Sequence, residues 1–201
     1  MRSQAMQQLY LNAVREQRTM GVTNGPATRN LLAAQDSFTD DIDVLNYALT
    51  LEHLESAFYK LAAKYQFGND AFGQPIGDRM MEIGAHEAAH VETLTGVISQ
   101  LGGEPVAEAT YDFGYTDATG FLKISQALED TGVSAYQGAA QYLMDNGDLL
   151  TAALTIHGVE ARHAAYVAVL NANDPFPEAV NPTLTPAEVL DIATPFITSG
   201  S

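Results

Sequence analysis

Two Glu-x-x-His pairs are the residues of this chain with the clearest capacity for chemistry. One pair is Glu87 and His90 in "GAHEAAHVETL", and the other is Glu160 and His163 in "GVEARHAAY". Residues three positions apart share one helix face, so each pair can direct a carboxylate and an imidazole to the same side. Both groups are ligands of first-row transition metals. The pairs therefore predict a metal site between two helices.

An internal repeat extends the pattern to four helices. In "LEHLESAFY", Glu52 is followed seven residues later by Tyr59, and in "LEDTGVSAY", Glu129 is followed seven residues later by Tyr136. Each of these glutamates stands one helix ahead of a Glu-x-x-His pair. One Glu from each of two helices and a Glu-x-x-His from each of the other two form a dinuclear carboxylate site. The predicted metal ligands are Glu52, Glu87, His90, Glu129, Glu160 and His163.

The charge of this set also predicts metal. Four ionised carboxylates in a bundle core would repel one another strongly. Two divalent cations would cancel their charge. Carboxylate oxygens with two imidazoles suit Fe(II) or Mn(II), so the predicted cofactors are two Fe or two Mn ions, with Zn as a common substitute.

Four long segments with helical spacing of apolar residues position these side chains. Short links join the first to the second and the third to the fourth, whereas a long crossover, "GGEPVAEATYDFGYTDATG", joins the middle two. This pattern predicts an all-α fold, a ferritin-like antiparallel four-helix bundle of two hairpins. The first predicted helix starts after "DSFTDD" and ends before Gly68, and the second runs from about Gly77 to Leu101. The third starts after "YTDATG" and runs to Met144. The fourth starts near Asp148, a possible N-cap, and runs to about Asn171.

The chain divides into three parts on this basis. Residues 37–171 form the predicted bundle, residues 1–36 an N-terminal extension, and residues 172–201 a C-terminal extension. The last part contains a short helix at "TPAEVLDIA", with Thr185 as N-cap and Pro186 at the first helical position. The rest of both extensions is expected to be loop or an interface arm, apart from an amphipathic helix in the first ~20 residues.

The side chains near the ligands suggest supporting roles. Tyr59 and Tyr136 lie two turns from their glutamates, and each could hydrogen-bond a ligand across the bundle and fix its orientation. The alternative for each is an ordinary core tyrosine. His157, three residues before Glu160, is placed at the edge of the site.

The stretches "LTLEHLESAFY", "HEAAHVETLTGVISQLGG", "LEDTGVSAYQGAA" and "IHGVEARHAAY" resemble the ferritin-like superfamily. The resemblance is greatest to the bacterial ferritin-like domain group related to desiccation-related proteins. It covers roughly residues 40–171 and implies the six ligands named above. It further implies that Glu87 and Glu160 bridge the metals, whereas Glu52 and Glu129 are terminal ligands.

The chain departs from rubrerythrin-like relatives at one position. Those proteins tend to carry an extra carboxylate where this chain has Gly132, and here Glu55 stands at the matching position of the first helix. Glu55 is a candidate seventh ligand or proton relay, the alternative being a partly exposed polar residue. Gly132 would leave space for substrate access to one metal, the alternative being close helix packing. His53 and His86 adjoin ligand positions, which turns each about 100° away, so both are expected at the surface or an interface.

Composition excludes several classes of function. The chain of 201 residues has 9 basic and 25 acidic residues, a formal charge of -16, which argues against nucleic acid as a partner. The absence of cysteine excludes thiolate zinc sites, iron–sulfur clusters and disulfides. No apolar run approaches the ~18 residues of a membrane span. We expect a soluble protein, cytoplasmic or exported with its leader absent from this chain.

Three functions fit these predictions. The first is a dimetal oxidoreductase that reacts with O2 or hydrogen peroxide, as a ferroxidase or in the manner of a manganese catalase, in oxidative stress. The second is a non-enzymatic metal-binding or desiccation-associated structural protein. The third is a di-iron oxygenase, which would need an apolar channel and a reductase. The expected partners are the small oxidant and a second copy of the chain in a homodimer.

Overall fold

The computed structural model describes residues 38–199, which form the predicted four-helix bundle with a short helix and two short strands added to it. The predicted extension 1–36, including its amphipathic helix, lies outside the described residues. The helices are α1 (Asp41–Tyr59), α2 (Ile76–Gln100), α3 (Ala118–Ala139), α4 (Gly147–Leu170) and α5 (Pro186–Ala193), and the strands are β1 (Thr110–Tyr111) and β2 (Ile197–Ser199). None of the described helices is long and apolar enough to cross a membrane.

Local capping chemistry sets the helix starts. The side chain of Asp40 accepts from Asp43 N at the start of α1. At α5, Thr185 and Glu188 form a reciprocal capping box with Pro186 at the first position, as predicted. At α4 the prediction of Asp148 as N-cap is wrong. Asn146 is the cap and accepts from Leu149 N, while Asp148 lies in the first turn, where the helix dipole favours an acid.

Two helices end earlier than predicted. α1 stops at Tyr59 instead of running towards Gly68, and a 3₁₀ turn at Ala62–Lys64 follows it. α3 stops at Ala139, and a 3₁₀ turn at Ala140–Leu143 takes its place. A 3₁₀ turn keeps one side of the chain against the core, so the apolar spacing continues past the true end of the α-helix.

The helices pair as two antiparallel hairpins. Gly103, just after α2, packs against Ile42 at the start of α1, while Gly84 in the first half of α2 packs against Tyr59 at the end of α1. In the second hairpin, Asn171 at the end of α4 donates to Leu122 O near the start of α3. The interior between the hairpins holds the apolar core and the predicted ligands.

The C-terminal segment packs on the bundle as an integral part of it. β2 pairs antiparallel with β1 in the crossover, matching Thr110 with Ser199. Before α5 the backbone of Leu184 crosses α3 at Gly138, where a Cβ would lie only 2.0 Å from Leu184 O. Most of α5 is buried. Residues 172–185 form neither helix nor strand, as expected of a loop. After α5 the expectation of a loop or interface arm is corrected by β2, which could not be predicted because strands of two and three residues leave no detectable alternation in the sequence.

Candidate metal centre

Six side chains from the four long helices converge in the middle of the bundle. α1 contributes Glu52, α2 contributes Glu87 and His90, α3 contributes Glu129, and α4 contributes Glu160 and His163. All four carboxylates are fully buried, with 0% of their surface exposed. Isolated buried carboxylates are strongly unfavourable, so this concentration of acid calls for a compensating positive charge.

The donor atoms form two groups that share two glutamates. Glu52, Glu87, His90 and Glu160 each offer an atom within 4.8 Å of the others, and so do Glu87, Glu129, Glu160 and His163. Glu87 and Glu160 belong to both groups. This agrees with the resemblance, which implies that these two carboxylates bridge the metals. Their role as ligands stays a prediction.

Carboxylate oxygens surround His90 Nδ1 on three sides. The nitrogen lies 3.1 Å from Glu52 Oε2, 3.2 Å from Glu87 Oε2 and 3.2 Å from Glu160 Oε1. A single N–H cannot donate to three oxygens at once. Since the oxygens come from three different helices, the arrangement brings donor atoms together around one point.

His163 Nδ1 occupies the equivalent position in the second group. It lies 3.0 Å from Glu87 Oε1 and 3.4 Å from Glu129 Oε2. Despite these short separations, Glu87 Oε1, Glu129 Oε2, both Glu160 oxygens and His163 Nδ1 are buried without a well-directed hydrogen bond among the described residues. Buried polar atoms are nearly always satisfied in native proteins. Five such atoms facing one another fit bound cations, which all of them can ligate.

The electrostatics of the cluster agree with this fit. Burial, reinforced by the charge of Glu160, raises the pKa of Glu52 well above its usual value. Burial also raises the pKa of Glu129, again with a contribution from Glu160. Burial alone would lower the pKa of His90, but the carboxylates of Glu160, Glu52 and Glu87 around its Nδ1 raise it to about 12. Without metal, the cluster retains protons that bound cations would displace.

Two tyrosines hold the carboxylates of Glu52 and Glu129 across the bundle. Tyr136 on α3 donates its hydroxyl to Glu52 Oε1 on α1. Tyr59 on α1 donates to Glu129 Oε1 on α3, and its oxygen also lies 2.6 Å from Ser125 Oγ. Each hydrogen bond therefore joins one hairpin to the other and leaves the second oxygen of its carboxylate turned towards a histidine.

His86 contacts the site in a way that the sequence did not predict. It is exposed, as expected, but its Nδ1 lies 2.9 Å from His163 Nε2, and the two rings stack with their centroids 5.2 Å apart. A hydrogen bond on the outer nitrogen orients a histidine that uses its inner nitrogen for metal. The contact depends on how α2 and α4 are rotated against each other, which residue spacing within one helix does not reveal. His53 is half-buried, with Nε2 lying 3.1 Å from Val106 O.

Glu55 and Gly132 lie together at one side of the cluster. Glu55 is 3% exposed, so the alternative of a partly exposed residue is wrong, and burial together with the charge of Glu160 raises its pKa well above the usual value. It belongs to neither donor group. A Cβ at Gly132 would lie 3.1 Å from Glu160 Oε2 and 3.2 Å from Glu55 Oε1, beside a cavity of about 10 Å³ also lined by Ile192.

His157 has a less direct relation to the cluster. Its side chain is half-buried, and its Nε2 is buried without a hydrogen-bond partner among residues 38–199. Burial lowers its pKa. It is not a member of either donor group, so its placement at the edge of the site stays a prediction.

Comparison with known proteins gives one family and a set of similar folds. A family model described as a ferritin-like domain matches residues 40–173. A solved structure from Bacillus anthracis str. Ames, described as ferritin-like, diiron-carboxylate proteins, has a TM-score of 0.55 and 17% identity, over 73% of this chain and 99% of that chain. The solved structure of a conserved hypothetical protein from Mycobacterium tuberculosis has a TM-score of 0.55 and 16% identity. The match covers 68% of this chain and 94% of that chain. No curated protein sequence matches the chain.

Proposed function

This chain belongs to the ferritin-like domain family, and we propose that it is a dimetal carboxylate protein whose iron or manganese pair reacts with O2 or hydrogen peroxide. The observation that carries the proposal is the pair of donor groups sharing Glu87 and Glu160. Diiron-carboxylate is also the description of one similar solved structure. Glu52 and His90 would complete one metal position, and Glu129 with His163 the other.

The residues present fit two divalent cations. Two such ions would balance the four fully buried carboxylates and ligate the atoms that lack partners among the described residues. All six donors are oxygen or imidazole nitrogen, the set preferred by Fe(II) and Mn(II) and tolerated by Zn. When bound, such a metal pair supplies two-electron redox chemistry, either Fe(II) oxidation with O2 as acceptor or disproportionation of hydrogen peroxide to water and O2.

The protein's own contribution is orientation and burial. Tyr136 and Tyr59 fix the terminal carboxylates through their hydroxyl donors. His86 holds the ring of His163 from the solvent side. The apolar core around the cluster excludes water and strengthens every electrostatic interaction inside it.

Metal analysis tests the proposal first. The full chain is loaded anaerobically with Fe(II) or Mn(II), and wild type is compared with Glu160→Gln and with Glu92→Gln, a change at an exposed site on α2. We expect about two ions per chain in wild type and in the α2 control, as in other carboxylate bundles of this design. Loss of metal from Glu160→Gln is expected, because it removes an anionic donor from both groups. Wild-type protein that takes up neither metal would refute the proposal.

Turnover assays then separate enzyme from metal-binding protein. Loaded protein is given Fe(II) and O2, or hydrogen peroxide alone, and product formation is followed. Oxidation of two Fe(II) with two protons and one O2 gives two Fe(III) and hydrogen peroxide, whereas catalase activity releases O2 from peroxide. A loaded protein that performs neither reaction would leave a non-enzymatic metal-binding or stress-associated role.

Glu55 has two candidate roles within this function, seventh ligand or proton relay. Glu55→Gln keeps the size of the side chain and removes its charge. A seventh ligand predicts weaker metal binding in this variant. A proton relay predicts unchanged metal content and slower turnover.

A further inference from the structure

A second cavity lies inside the bundle, apart from the one beside Gly132. It has a volume of about 40 Å³ and is lined from all four long helices, for example by Leu51, Leu94, Ala139 and Ile156. These residues lie on the side of the cluster where α1 begins and α3 ends. Neither donor group includes any residue that lines this cavity.

The cavity shares a wall with the cluster. The ring of Tyr136 lines the cavity, while its hydroxyl donates to Glu52 Oε1. Leu51, another lining residue, directly precedes Glu52 in α1. A molecule in the cavity would therefore be separated from the terminal carboxylate by a single side chain.

The lining is almost entirely aliphatic and aromatic. Its polar side chains are Thr93 and two tyrosines. The hydroxyl of Tyr136 is occupied by Glu52, and the hydroxyl of Thr93 donates to Ala89 O. Tyr47 is the remaining one, and its hydroxyl has no partner among the described residues. A buried water needs two to four polar partners, so the cavity suits an apolar occupant better than water or hydrogen peroxide.

The volume sets the size of that occupant. A single water requires roughly 10–15 Å³ of such space, and a dry cavity that takes up benzene has roughly 150 Å³. At about 40 Å³ this cavity suits a molecule of two or a few heavy atoms. Pockets for organic ligands usually measure about 300–1,000 Å³. The cavity thus gives no support to an oxygenase acting on an organic substrate.

The cavity also reaches the surface. Thr93 on α2 and Ala152 on α4 both line it and both are exposed. Its outer end therefore lies between α2 and α4. The cavity of about 10 Å³ next to Gly132, which shares Leu51 with the larger one, has buried Ile192 and Ala193 of α5 among its lining and holds at most a single water.

We propose that the larger cavity is a binding site for dioxygen, which enters between α2 and α4 and binds against the ring of Tyr136 beside the cluster. Dioxygen is diatomic and needs no hydrogen-bond partner, which matches both the volume and the lining. This inference rests on the proposed function and narrows it, because it makes O2, and not hydrogen peroxide, the oxidant that uses this route.

Xenon tests the cavity without any metal. Methyl NMR spectra of the full chain are recorded under increasing xenon pressure, following Leu51, Leu94 and Ile156. We expect saturable shifts of these methyl groups in wild type. Ala139→Val enlarges a side chain of the cavity wall by two carbon atoms and should abolish the shifts. Ala168→Val makes the same change at a buried α4 position that does not line the cavity, and it should leave the shifts in place. Ala153→Val, at a half-buried lining position on α4, replaces the first variant if that one does not fold.

Kinetics of the iron-loaded protein then connect the cavity with O2. Ala139→Val should raise the O2 concentration that gives half-maximal oxidation and leave reaction with hydrogen peroxide unchanged. Absence of xenon shifts in wild type, or an unaltered O2 dependence in the filled variant, would overturn the proposal. Failure to load metal would overturn the proposed function instead, and the xenon titration would still decide whether the cavity takes up an apolar gas.

Discussion

Removing the hydroxyl of Tyr136 is the most direct probe of how the cluster is held. In Tyr136→Phe the carboxylate oxygen Glu52 Oε1 loses its donor in a fully buried position. With metal bound, Glu52 is ionised, and a hydrogen bond to a charged group contributes about 1.5–3 kcal/mol. Without metal, burial raises the pKa of Glu52 and favours its neutral form. A hydrogen bond to a neutral group contributes only about 0.5–1.5 kcal/mol.

Thermal unfolding measures this difference. For a chain of this length, 1 kcal/mol corresponds to roughly 2–4 °C in Tm, so a loss of about 1.5–3 kcal/mol in Tyr136→Phe should lower the Tm of the metal-loaded protein by about 3–12 °C. The metal-free protein should lose about half as much, in proportion to the weaker bond.

Tyr47→Phe is the matched control. The hydroxyl of Tyr47 is also buried but has no partner among the described residues, so its removal should be neutral or stabilising. Tyr59→Phe should cost less than Tyr136→Phe, because Ser125 stands four residues before Glu129 on the same face of α3, and its hydroxyl, freed from the Tyr59 oxygen, can turn to donate to Glu129. Equal losses in Tyr136→Phe and Tyr47→Phe would refute the role assigned to the hydrogen bond with Glu52.

Three further predictions concern the surroundings of the cluster. His86→Ala should weaken metal binding about 10–100-fold, measured by competition with a chelator, because His163 loses its outer partner. Gly132→Ala should lower metal affinity and should raise Tm less than the same change at Gly158, because its Cβ would crowd Glu160 Oε2 at 3.1 Å. Between pH 6.5 and 9, urea unfolding should show the metal-free protein losing stability as pH rises, while the metal-loaded protein gains it.

The sign of the pH effect follows from the two histidines. Burial would lower the pKa of both histidines, but the neighbouring carboxylates outweigh it and raise the pKa of His90 to about 12 and that of His163 to about 10. Above pH 6.5 the folded, metal-free chain therefore binds more protons than the unfolded chain. The stabilisation that the two histidines provide is complete below pH 6.5. It is lost as the pH rises through their pKa values in the folded protein, at up to about 1.4 kcal/mol per pH unit for each histidine. A metal-free protein whose stability rises over this range would contradict the assignment.

A second glycine provides the control for Gly132→Ala. Gly158 lies on α4 with nothing within 4 Å of the position of its Cβ. Alanine there should stabilise the helix by about 0.5–1 kcal/mol. If both substitutions stabilise the protein equally and leave metal binding intact, the crowding expected at Gly132 does not occur.

The bundle and the six convergent side chains could be predicted because their spacing is local. Glu87 and His90 share a face through the pitch of a single helix, and the repeat in the second half places Glu160 and His163 in the same way. Contacts between helices could not be predicted in this manner. The stacking of His86 on His163 depends on helix rotation, and the pairing of β1 with β2 involves segments too short to carry a period.

The spacing of apolar residues in the sequence also gives no information about cavities. The apolar residues around the larger cavity fit a helical pattern equally well whether their side chains meet or leave a gap. Likewise, the depth of Glu55 in the core is set by what α5 covers, and α5 follows α4 only after a segment without regular apolar spacing.

The division of the predicted ligands between the two hairpins has a consequence for the order of folding and metal binding. Each donor group draws at least one carboxylate from the hairpin that does not supply its histidine: Glu160 in the group of His90, and Glu87 in the group of His163. A nascent chain that has released only α1 and α2 from the ribosome therefore holds an incomplete site. If the predicted ligands bind metal, its capture would follow the docking of the two hairpins, and occupancy would report that the whole bundle has assembled.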